Sequence, residues 1–397
     1  MNIILFDGKS RQKLLPLTYT RPVGNLRIGI LTINEKWEKC LNAVVSYETE
    51  SYLTKKFPRK ITSNNFLING GLCPDGKVES AISSLKQGEM LVKDEVILAA
   101  HILEGDLLTL TDFNSFVPLN KIQYSEEVLI VEHPWDIFSK NAEALELDFN
   151  AITKDRISQP ISESNTIIGD RIFLEKGAKV EASILNSNSG AIYIGKDAEI
   201  MEGSMVRGGL ALCDHAGLKM GAKIYGATTI GPHSKAGGEI SNSVIYGFSN
   251  KGHDGFIGNT VIGEWCNLGA DTNTSNLKNN YAKVKLWSYE TGRFFNTELQ
   301  FCGLIMGDHS KSGINTMFNT GTVVGVSANI YGGGFPRNFI PSFAWGGAAG
   351  MMEFRYNKAA EVADAMMSRR GLSYDEMEQG IIKEVYEMTA IYRKNLK

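Results

Sequence analysis

The chain has 397 residues, and its 41 lysines and arginines nearly balance 44 aspartates and glutamates, for a formal net charge of −3 at pH 7. This balance excludes a chain-wide basic field of the kind that binds nucleic acid or an anionic membrane surface, so a small-molecule partner is expected. The length is enough for two or three domains, each with its own core.

The N-terminal apolar run and the spacing of the cysteines indicate in which cellular compartment the protein resides. The N-terminal apolar run stops at Asp7 and carries no basic region, so we expect a buried first strand and not a signal peptide. The five cysteines are scattered without a CxxC pair, which indicates neither a zinc site nor a disulfide framework and favours a reducing cytoplasm. No apolar run approaches the roughly 18 residues that a membrane span needs.

The first part of the chain alternates short aliphatic runs with polar, helix-compatible stretches. The aliphatic runs lie at residues 3–6, 66–68, 90–92, 96–99 and 128–131, and the helix-compatible stretches lie at 34–44 and 77–85. Strands that alternate with helices predict an α/β layer. We therefore expect an α/β domain over residues 1–155, followed by a polar linker around Pro160.

A bulky aliphatic residue recurs at every sixth position in the middle of the chain: Ile194, Ile200, Val206, Leu212, Leu218, Ile224 and Ile230. The residues four places later are small in all but one case: Ala198, Ser204, Leu210, Ala216, Ala222, Thr228 and Ser234. Six extended residues span about 20 Å, so each hexapeptide predicts one flat face of a parallel β-helix. With earlier anchors from Ile168 and later ones up to Ile330, we expect this coil over residues 156–345.

The sixfold period fails in two places, residues 246–255 and residues 272–301. The first is rich in glycine, and the second is rich in asparagine and aromatic residues. Insertions on a rigid coil tend to carry function, so functional residues are expected in both. A third segment, the Asn/Ser-rich residues 186–190, is expected to protrude from a corner.

The last part of the chain changes to helical spacing. From about residue 351, apolar residues recur every three or four positions, which predicts helices. We expect a helical extension over residues 346–397 that covers the end of the coil and blocks strand pairing there. Four aromatic residues are expected to pack against these helices: Phe335, Phe339, Phe343 and Trp345.

His253 is the strongest catalytic candidate. It lies between Gly252 and Gly255, with Lys251 close by. Acetyl transfer to an amine needs a base near neutral pH, and histidine is the usual choice. Backbone amides of a glycine-rich turn can also supply donors to the oxyanion. The alternative is a loop histidine without a role, which the surrounding motif disfavours.

That motif carries a resemblance. The segment Lys-Gly-His-Asp-Gly-Phe-Ile-Gly, followed by Ile-Gly-x-x-x-Asn-Leu-Gly-Ala-x-Thr-x-Thr-Ser-Asn, resembles the acetyltransferase half of GlmU-like enzymes. This family combines N-acetylglucosamine-1-phosphate uridylyltransferase with glucosamine-1-phosphate N-acetyltransferase activity. The resemblance implies a left-handed parallel β-helix, a homotrimer with acyl sites between neighbouring coils, and acetyl-CoA as the cosubstrate.

The resemblance also implies roles for individual residues. His253 takes the place of the catalytic base, Phe256 replaces a substrate-contacting tyrosine, and Asn276 keeps the family's asparagine. Lys219 lies where the family has an arginine that grips the sugar phosphate. The remaining candidates for substrate contact are Lys251 and, as a second phosphate ligand, Lys283 or Lys285.

The N-terminal stretch Asp-Gly-Lys-Ser-Arg, followed by Pro-Leu-Thr-Tyr-Thr-Arg-Pro, is similar to the start of sugar-nucleotide pyrophosphorylases. There, amides of a glycine turn hold the nucleotide phosphates, and cations neutralise charge as pyrophosphate leaves. The implied nucleotide-binding residues are Gly8, Lys9, Arg11 and Arg21. The family's Mg²⁺-binding aspartate is missing from residues 70–74, so the metal ligands are unknown, and Asp7 and Asp148 are alternatives.

The leading hypothesis is a sugar-nucleotide enzyme that acetylates an amino sugar 1-phosphate, expected to be glucosamine 1-phosphate, on its coil. Its abbreviated N-terminal domain would use UTP or dTTP and a sugar 1-phosphate, with Mg²⁺ if it is active. One alternative is a pure nucleotidyltransferase whose coil serves oligomerisation and regulation. The other is a non-catalytic scaffold that binds a sugar nucleotide. The His motif with its Asn-rich sequel favours the first, since a spacer coil has no need of it.

Overall fold

The computed structural model describes residues 1–108 and 120–396. The chain forms two compact units. The first comprises Met1–Leu14, Thr20–Arg27 and Leu31–His133, and the second comprises Leu15–Tyr19, Ile28–Ile30 and Pro134–Lys397. Residues 134–153, which we grouped by sequence with the N-terminal domain, therefore belong to the second unit, while the domain boundaries at 155 and 345 remain predictions.

The first unit is an α/β layer, as predicted. Its strands are β1 (Asn2–Phe6), β2 (Val45–Glu48), β3 (Asn64–Asn69), β4 (Glu89–Lys93), β5 (Val96–Leu103) and β6 (Asn120–Gln123). Its helices are α1 (Ser10–Lys13), α2 (Ile33–Leu41), α3 (Gly76–Ser83) and α4 (Glu104–Leu108), with 3-10 turns at Val23–Asn25 and Ser51–Leu53. The strand order is β2-β1-β3-β5-β4-β6, and β1 pairs in parallel with both β2 and β3.

Four of the five predicted aliphatic runs become strands of this sheet. The fifth, residues 128–131, forms only an isolated bridge between Leu72 and Ile130. Its apolar side chains are buried all the same, with Leu129 and Val131 at most 5% exposed. A short apolar run thus predicts burial more reliably than strand pairing.

From residue 134 onward, the second unit consists of α5 (Pro134–Ser139), α6 (Asn141–Thr153) and then short strands, most of which pair in parallel. These strands are β7 (Thr166–Ile168), β8 (Ile172–Leu174), β9 (Lys179–Val180), β10 (Ile184–Asn186), β11 (Ile192–Ile194), β12 (Glu199–Ile200), β13 (Met205–Arg207), β14 (Leu210–Leu212), β15 (Gly217–Leu218), β16 (Lys223–Tyr225), β17 (Thr228–Ile230), β18 (Lys235–Ala236), β19 (Glu239–Ser241), β20 (Val244–Ile245), β21 (Asn250–Lys251), β22 (Phe256–Gly258), β23 (Val261–Ile262), β24 (Asn267–Leu268), β25 (Asn273–Thr274), β26 (Lys285–Ser288), β27 (Arg293–Asn296), β28 (Ile305–Met306), β29 (Lys311–Ser312), β30 (Met317–Phe318), β31 (Val323–Val324), β32 (Asn329–Ile330), β33 (Phe339–Ile340), β34 (Ala344–Gly347) and β35 (Gly350–Glu353). Three helices follow: α7 (Tyr356–Ser368), α8 (Glu376–Met388) and α9 (Ala390–Arg393).

These strands stack into a three-sided coil, which confirms the predicted parallel β-helix. Within the described part of the chain, the main faces are sheets of six, nine and ten strands. Each strand pairs with its counterpart one coil earlier and one coil later, as β11 does with β8 and β14. The seven anchors from Ile194 to Ile230 all lie in the interior, each at most 2% exposed.

The small residues have a hydrogen-bonding role at the corners. The Ser234 hydroxyl donates to the Tyr246 carbonyl at 2.6 Å and accepts from the Ser249 amide at 2.9 Å. The Ser249 hydroxyl continues the series, accepting from the Cys266 amide at 2.9 Å. A small polar side chain therefore satisfies backbone groups that the turn of the coil leaves without a strand partner.

One corner of the coil is built from residues in the left-handed backbone conformation. Its residues with positive φ include Asp197, His215, His233, Phe248, Trp265 and His309. The five rings stack from coil to coil with centroid separations of 4.7, 4.8, 4.3 and 6.2 Å. Non-glycine residues in this conformation cost about 1–2 kcal/mol each, and ring stacking offsets part of that cost. We call these rings the aromatic ladder.

The first predicted interruption, residues 246–255, is instead a regular coil. Strands β20 and β21 pair in parallel with the coils on both sides, and β22 pairs in parallel with β19 of the preceding coil. The buried interior positions here are Ile240, Ile245, Lys251, Ile257 and Ile262. Two steps are one residue short, and a lysine fills one interior position, so the sixfold aliphatic period is lost while the fold continues.

Two further predictions about the coil were wrong: the position of its first interior anchor and the start of its second interruption. Ile168, taken as the first anchor, is 39% exposed; Ile167, the residue in register with buried Leu185, is equally exposed, because β7 is the end strand of its sheet. The second interruption begins later than predicted, since β25 still pairs with β30. Residues 275–303, named the excursion, then leave the coil as a hairpin of β26 and β27.

The C-terminal extension is helical, as predicted, but it starts with β35, which pairs antiparallel with β34. Arg393 of α9 contacts the Glu353 carboxylate at 3.0 Å and so ties the helices to this strand. The ring of Phe343 lies edge-on to Tyr386 of α8 at 5.0 Å, and Phe339 contacts Tyr392 at 5.8 Å. Phe335 differs from expectation, since it is 57% exposed.

Asn141 joins three parts of the second unit and is fully buried. Its side chain accepts from the Gly29 amide at 2.7 Å and donates to the Ala227 carbonyl at 2.9 Å. Asn141→Ala leaves both groups without this partner, so we expect the free energy of unfolding to fall by about 1–3 kcal/mol. Urea unfolding measures the loss, with exposed Asn357→Ala as the control; equal effects of the two substitutions would contradict the expectation.

Candidate functional site

The turn of residues 252–255 links β21 to β22 and places the His253 side chain at the surface. Gly255 has φ +111°, and a Cβ there would lie 2.4 Å from the Thr272 carbonyl oxygen. The following coil therefore lies directly against this end of the turn, and only glycine fits. His253 is thus exposed on a turn whose backbone is closely packed.

Lys251 lies on the opposite side of the same turn, inside the coil and 1% exposed. Its ammonium donates to the carbonyl oxygens of His253, Asp254 and Gly237, the last two at 2.9 and 3.4 Å. Burial lowers the pKa of Lys251 from 10.5 to about 8, while Asp254 and Asp271 act in the opposite direction. These surroundings favour a role in holding the turn over direct contact with a substrate.

The lowered pKa predicts a pH-dependent contribution of Lys251 to stability. The folded protein releases this proton near pH 8, whereas the unfolded chain holds it up to about 10.5. Between these values the unfolded chain binds more protons, so the stability of the wild type relative to Lys251→Met should rise with pH. Urea unfolding of both proteins across this window tests the sign; a difference that falls or stays constant would contradict it.

Phe256 and Asn276 meet beside Gly258. A Cβ on Gly258 would lie 2.7 Å from the Phe256 ring and 2.6 Å from the Asn276 side-chain nitrogen. Asn276 also donates to the Asn259 side-chain oxygen at 2.8 Å. Although 20 residues of sequence separate Phe256 from Asn276, the coil brings both predicted substrate contacts together, immediately after the His253 turn.

Lys219 and Lys283 occupy different surroundings. A Cβ on Gly237 would lie 3.1 Å from Lys219 Cβ and 2.9 Å from the Gly252 carbonyl oxygen, so Gly237 lies between Lys219, two coils before the turn, and the turn itself. Lys283 lies in the excursion, where its ammonium donates to the Glu298 carbonyl at 2.6 Å. Lys285, the alternative, is exposed in β26. Lys219 is therefore on the same side of the coil as the turn but separated from it by Gly237, and the contact that fixes Lys283 lies within the excursion.

Asn273 supports the site in a way that sequence reasoning missed. Its side-chain oxygen accepts from the Phe256 amide at 2.7 Å, and its amide group donates to the Asp271 carbonyl at 2.9 Å. Next to it, the Asp271 amide donates to the Asp254 carbonyl at 3.0 Å. Asn273 was part of the recognised motif, but its outward position opposite Phe256 became apparent only from the coil register.

The predicted nucleotide-binding residues lie at the carboxyl end of β1. Because β1 has β2 on one side and β3 on the other, this end is a topological switch point, where open α/β sheets bind ligands. Gly8 follows with φ +56°, and Lys9 after it is exposed. A glycine turn with an exposed cation therefore stands at the expected place.

Arg11 and Arg21 are buried in the first unit, at 7% and 4% exposure. Arg11 donates to the Asp7 carboxylate at 2.8 Å and to the Tyr52 hydroxyl at 2.9 Å. It also donates to the Arg21 carbonyl at 3.2 Å. These bonds tie Arg11 to Asp7 at the end of β1 and to the backbone of Arg21, whereas Lys9 is exposed to solvent.

The residues present do not fit an Mg²⁺ site of the expected kind. Asp7 accepts from Arg11, Thr49 and the Val23 amide, so its oxygens are engaged by protein donors, and burial raises its pKa. Asp148 belongs to the second unit and accepts from the Ile30 amide at 2.8 Å. In residues 1–108 and 120–396, no group of three or more His, Cys, Asp or Glu side chains could hold a metal ion.

The fold and the site together define a two-unit protein, in which an α/β unit with a phosphate-type glycine turn accompanies a hexapeptide coil bearing an exposed histidine. Residues 3–157 match the family model described as sugar nucleotidyl transferase. The chain is 27% identical over 224 residues to the bifunctional sugar-1-phosphate nucleotidylyltransferase/acetyltransferase of Sulfurisphaera tokodaii, covering 55% of each chain. It is 23% identical over 307 residues to the bifunctional protein GlmU of Methanococcus aeolicus, covering 76% of this chain and 64% of the relative.

These matches confirm the resemblance to GlmU-like bifunctional enzymes. The chain spans 55% and 64% of the lengths of these two relatives. The activities of the complete relatives are therefore only proposals for this chain. Among solved structures, the UDP-N-acetylglucosamine acyltransferase of Francisella novicida is 16% identical over 60% of this chain and 79% of that chain, with a TM-score of 0.26. None of the described helices is long and apolar enough to cross a membrane.

Proposed function

We propose that this protein is a bifunctional transferase of sugar-nucleotide synthesis. The coil transfers the acetyl group of acetyl-CoA to an amino sugar 1-phosphate, with glucosamine 1-phosphate as the proposed acceptor. The observation that carries the proposal is that the turn bearing the exposed His253 leads directly into β22, where Phe256 meets Asn276 beside Gly258. Similarity to relatives named for both activities supports it.

In the proposed acetyl transfer, the amino nitrogen attacks the thioester carbon of acetyl-CoA. His253 accepts the proton that the nitrogen loses, and the C–S bond breaks to release CoA, which takes up a proton. The Gly269 amide already donates to the Ser312 carbonyl within the coil, so we assign oxyanion stabilisation to amides of the turn 252–255. Asn276 and Lys219 orient the sugar phosphate.

In the proposed nucleotidyl transfer, an oxygen of the sugar 1-phosphate attacks the α-phosphorus of UTP or dTTP, and pyrophosphate leaves. Amides of the Gly8 turn hold the phosphates, and the exposed Lys9 ammonium neutralises charge on the departing pyrophosphate. Arg11 holds the turn in place through its bonds to the Asp7 carboxylate and the Arg21 carbonyl. Because residues 1–108 and 120–396 contain no group of three or more His, Cys, Asp or Glu side chains that could hold a metal ion, the nucleotide phosphates would supply most of the ligands of any Mg²⁺ that the reaction requires.

The proposal includes the assembly and location expected from the family resemblance. The coil forms a homotrimer in the cytoplasm, with each acyl site completed by a neighbouring coil. Analytical ultracentrifugation of the purified protein tests the trimer. A monomer that retains full acetyltransferase activity would refute the shared site.

Two assays test the proposed function directly. In one, the protein is incubated with glucosamine 1-phosphate and acetyl-CoA, and free CoA is measured. In the other, it is incubated with N-acetylglucosamine 1-phosphate, Mg²⁺ and either UTP or dTTP, and pyrophosphate is measured. Release of both products is expected. Release of pyrophosphate without CoA would identify a nucleotidyltransferase with a structural coil. Release of no product at all would favour a binding scaffold.

A further inference from the structure

Lys251 stands at a coil position that aliphatic or small residues fill in its neighbours. Ile200 is in register with Leu218, Leu218 with Ala236, and Ala236 with Lys251. A charged side chain at an interior position is unfavourable unless its donors are satisfied. The structure must therefore supply acceptors for this ammonium inside the coil.

The acceptors belong mainly to the candidate site. A lysine ammonium has three donors and no acceptor, and this one meets three carbonyl oxygens. Two of them are those of His253 and Asp254, and the third is that of Gly237 in the preceding coil. The ammonium therefore fastens the backbone of the catalytic candidate to the coil from the inside.

The turn rests on two glycines of the preceding coil. A Cβ on Gly237 would lie 2.9 Å from the Gly252 carbonyl oxygen, and one on Gly238 would lie 2.9 Å from that of His253. This close approach brings the carbonyl oxygens of the turn within reach of the lysine. Without the ammonium, the His253 carbonyl loses this donor, whereas the Asp254 carbonyl keeps the Asp271 amide at 3.0 Å.

We propose that Lys251 is a positioning residue for His253, fixing the carbonyl oxygens of the turn so that the imidazole is held in the geometry that acetyl transfer needs. The proposal rests on the acetyltransferase function proposed above. Holding a catalytic group within a fraction of an ångström matters, since a displacement of about 1 Å costs roughly 100-fold in rate. Loss of the ammonium should therefore lower kcat and leave the KM for acetyl-CoA largely unchanged.

The test uses Lys251→Met in the full-length protein, which keeps most of the side-chain volume but removes the donors. Lys311→Met is the matched control. Burial also lowers the pKa of Lys311 to about 8, and its ammonium donates to the His309 carbonyl at 2.6 Å, in a later coil. Both variants thus lose a lysine bonded to a backbone carbonyl, but only one loses contact with the His253 turn.

Two readouts separate this proposal from the proposed function. For Lys251→Met, we expect kcat for CoA release to fall at least about tenfold and amide hydrogen exchange in residues 252–256 to accelerate at least about tenfold. Lys311→Met should change neither by more than about twofold, and pyrophosphate release should be unaffected in both. If Lys251→Met does not fold, Lys251→Gln, which keeps one donor group, takes its place.

Different results would overturn the positioning role of Lys251 and the proposed acetyl transfer. Unchanged kcat together with unchanged exchange in Lys251→Met overturns the positioning role, as does an equal loss in Lys311→Met. A wild type that releases no CoA refutes the proposed acetyl transfer and with it the catalytic meaning of the turn. In that case the exchange measurement still decides whether Lys251 holds the backbone of residues 252–255.

Discussion

Replacement of His253 by alanine is expected to lower kcat for acetyl transfer by about 10²–10⁴-fold, the range that a general base typically contributes. His253 is exposed on a turn that its neighbours hold in place, so the substitution removes the imidazole without creating a cavity. The stability of the coil should therefore stay within about 0.5 kcal/mol of the wild type, as for most surface substitutions. Initial rates of CoA release at saturating acetyl-CoA measure the effect.

The matched control is His215→Ala, an exposed histidine of the aromatic ladder on the same coil. It should leave CoA release within about twofold of the wild type, because it lies outside the proposed site. Pyrophosphate release by the first unit should be the same in both variants. If His253→Ala retains full acetyl transfer, His253 is not the base, and the acetyltransferase site must be sought elsewhere on the coil.

Asp7→Ala is expected to destabilise the first unit by about 3–5 kcal/mol, the usual effect of removing one partner from a buried ion pair. The Asp7 carboxylate and the Arg11 guanidinium are 2.8 Å apart, and both side chains are 8% exposed. Without the carboxylate, the guanidinium remains buried, and the Val23 amide also loses its acceptor. Nucleotidyl transfer should be lost together with the fold of the glycine turn.

Two further variants test whether the destabilisation is specific to loss of the buried ion pair between Asp7 and Arg11. Asp7→Asn keeps an acceptor for Val23 and should be less destabilising than Asp7→Ala. Glu126→Gln breaks the exposed ion pair with Lys77 in the same unit and should have no measurable effect. Hydrogen exchange in β1 and β3 reports on the first unit while the second unit remains folded. Equal exchange in Asp7→Ala and Glu126→Gln would contradict the structural role assigned to the pair.

The coil could be predicted from sequence because its period is local. The six-residue spacing of aliphatic anchors and the small residues that follow them suffice to recognise the coil. The seven anchors between Ile194 and Ile230 all occupy its interior, as expected. The His253 turn was also located correctly, since glycine and histidine mark it in the printed sequence. The prediction that residues 246–255 interrupt the coil was wrong, because these residues are part of it.

That error has a physical cause. Pattern recognition treats an interior position as aliphatic, whereas Lys251 is acceptable there only because three carbonyl oxygens surround its ammonium. Those acceptors come from residues on two coils, and no local spacing reveals them. The support of Phe256 by Asn273 was hidden in the same way, because the hydrogen bond depends on how successive coils align.

The first unit was predictable in class but less so in detail. Alternating apolar runs indicated the α/β layer, but the antiparallel pairing of β3 with β5 depends on contacts between distant segments. Arg11 was assigned to nucleotide phosphates by motif alone. Its burial against Asp7 and Tyr52 arises from residues that the motif does not contain.

The aromatic ladder crosses the excursion without a gap. Trp265 and His309 stack although 44 residues of sequence separate them, and Ile262 pairs directly with Met306. The coil therefore closes as though residues 275–303 were absent from its path. Residues of this segment can therefore be added, removed or replaced without altering the spacing of the scaffold or displacing the histidine turn.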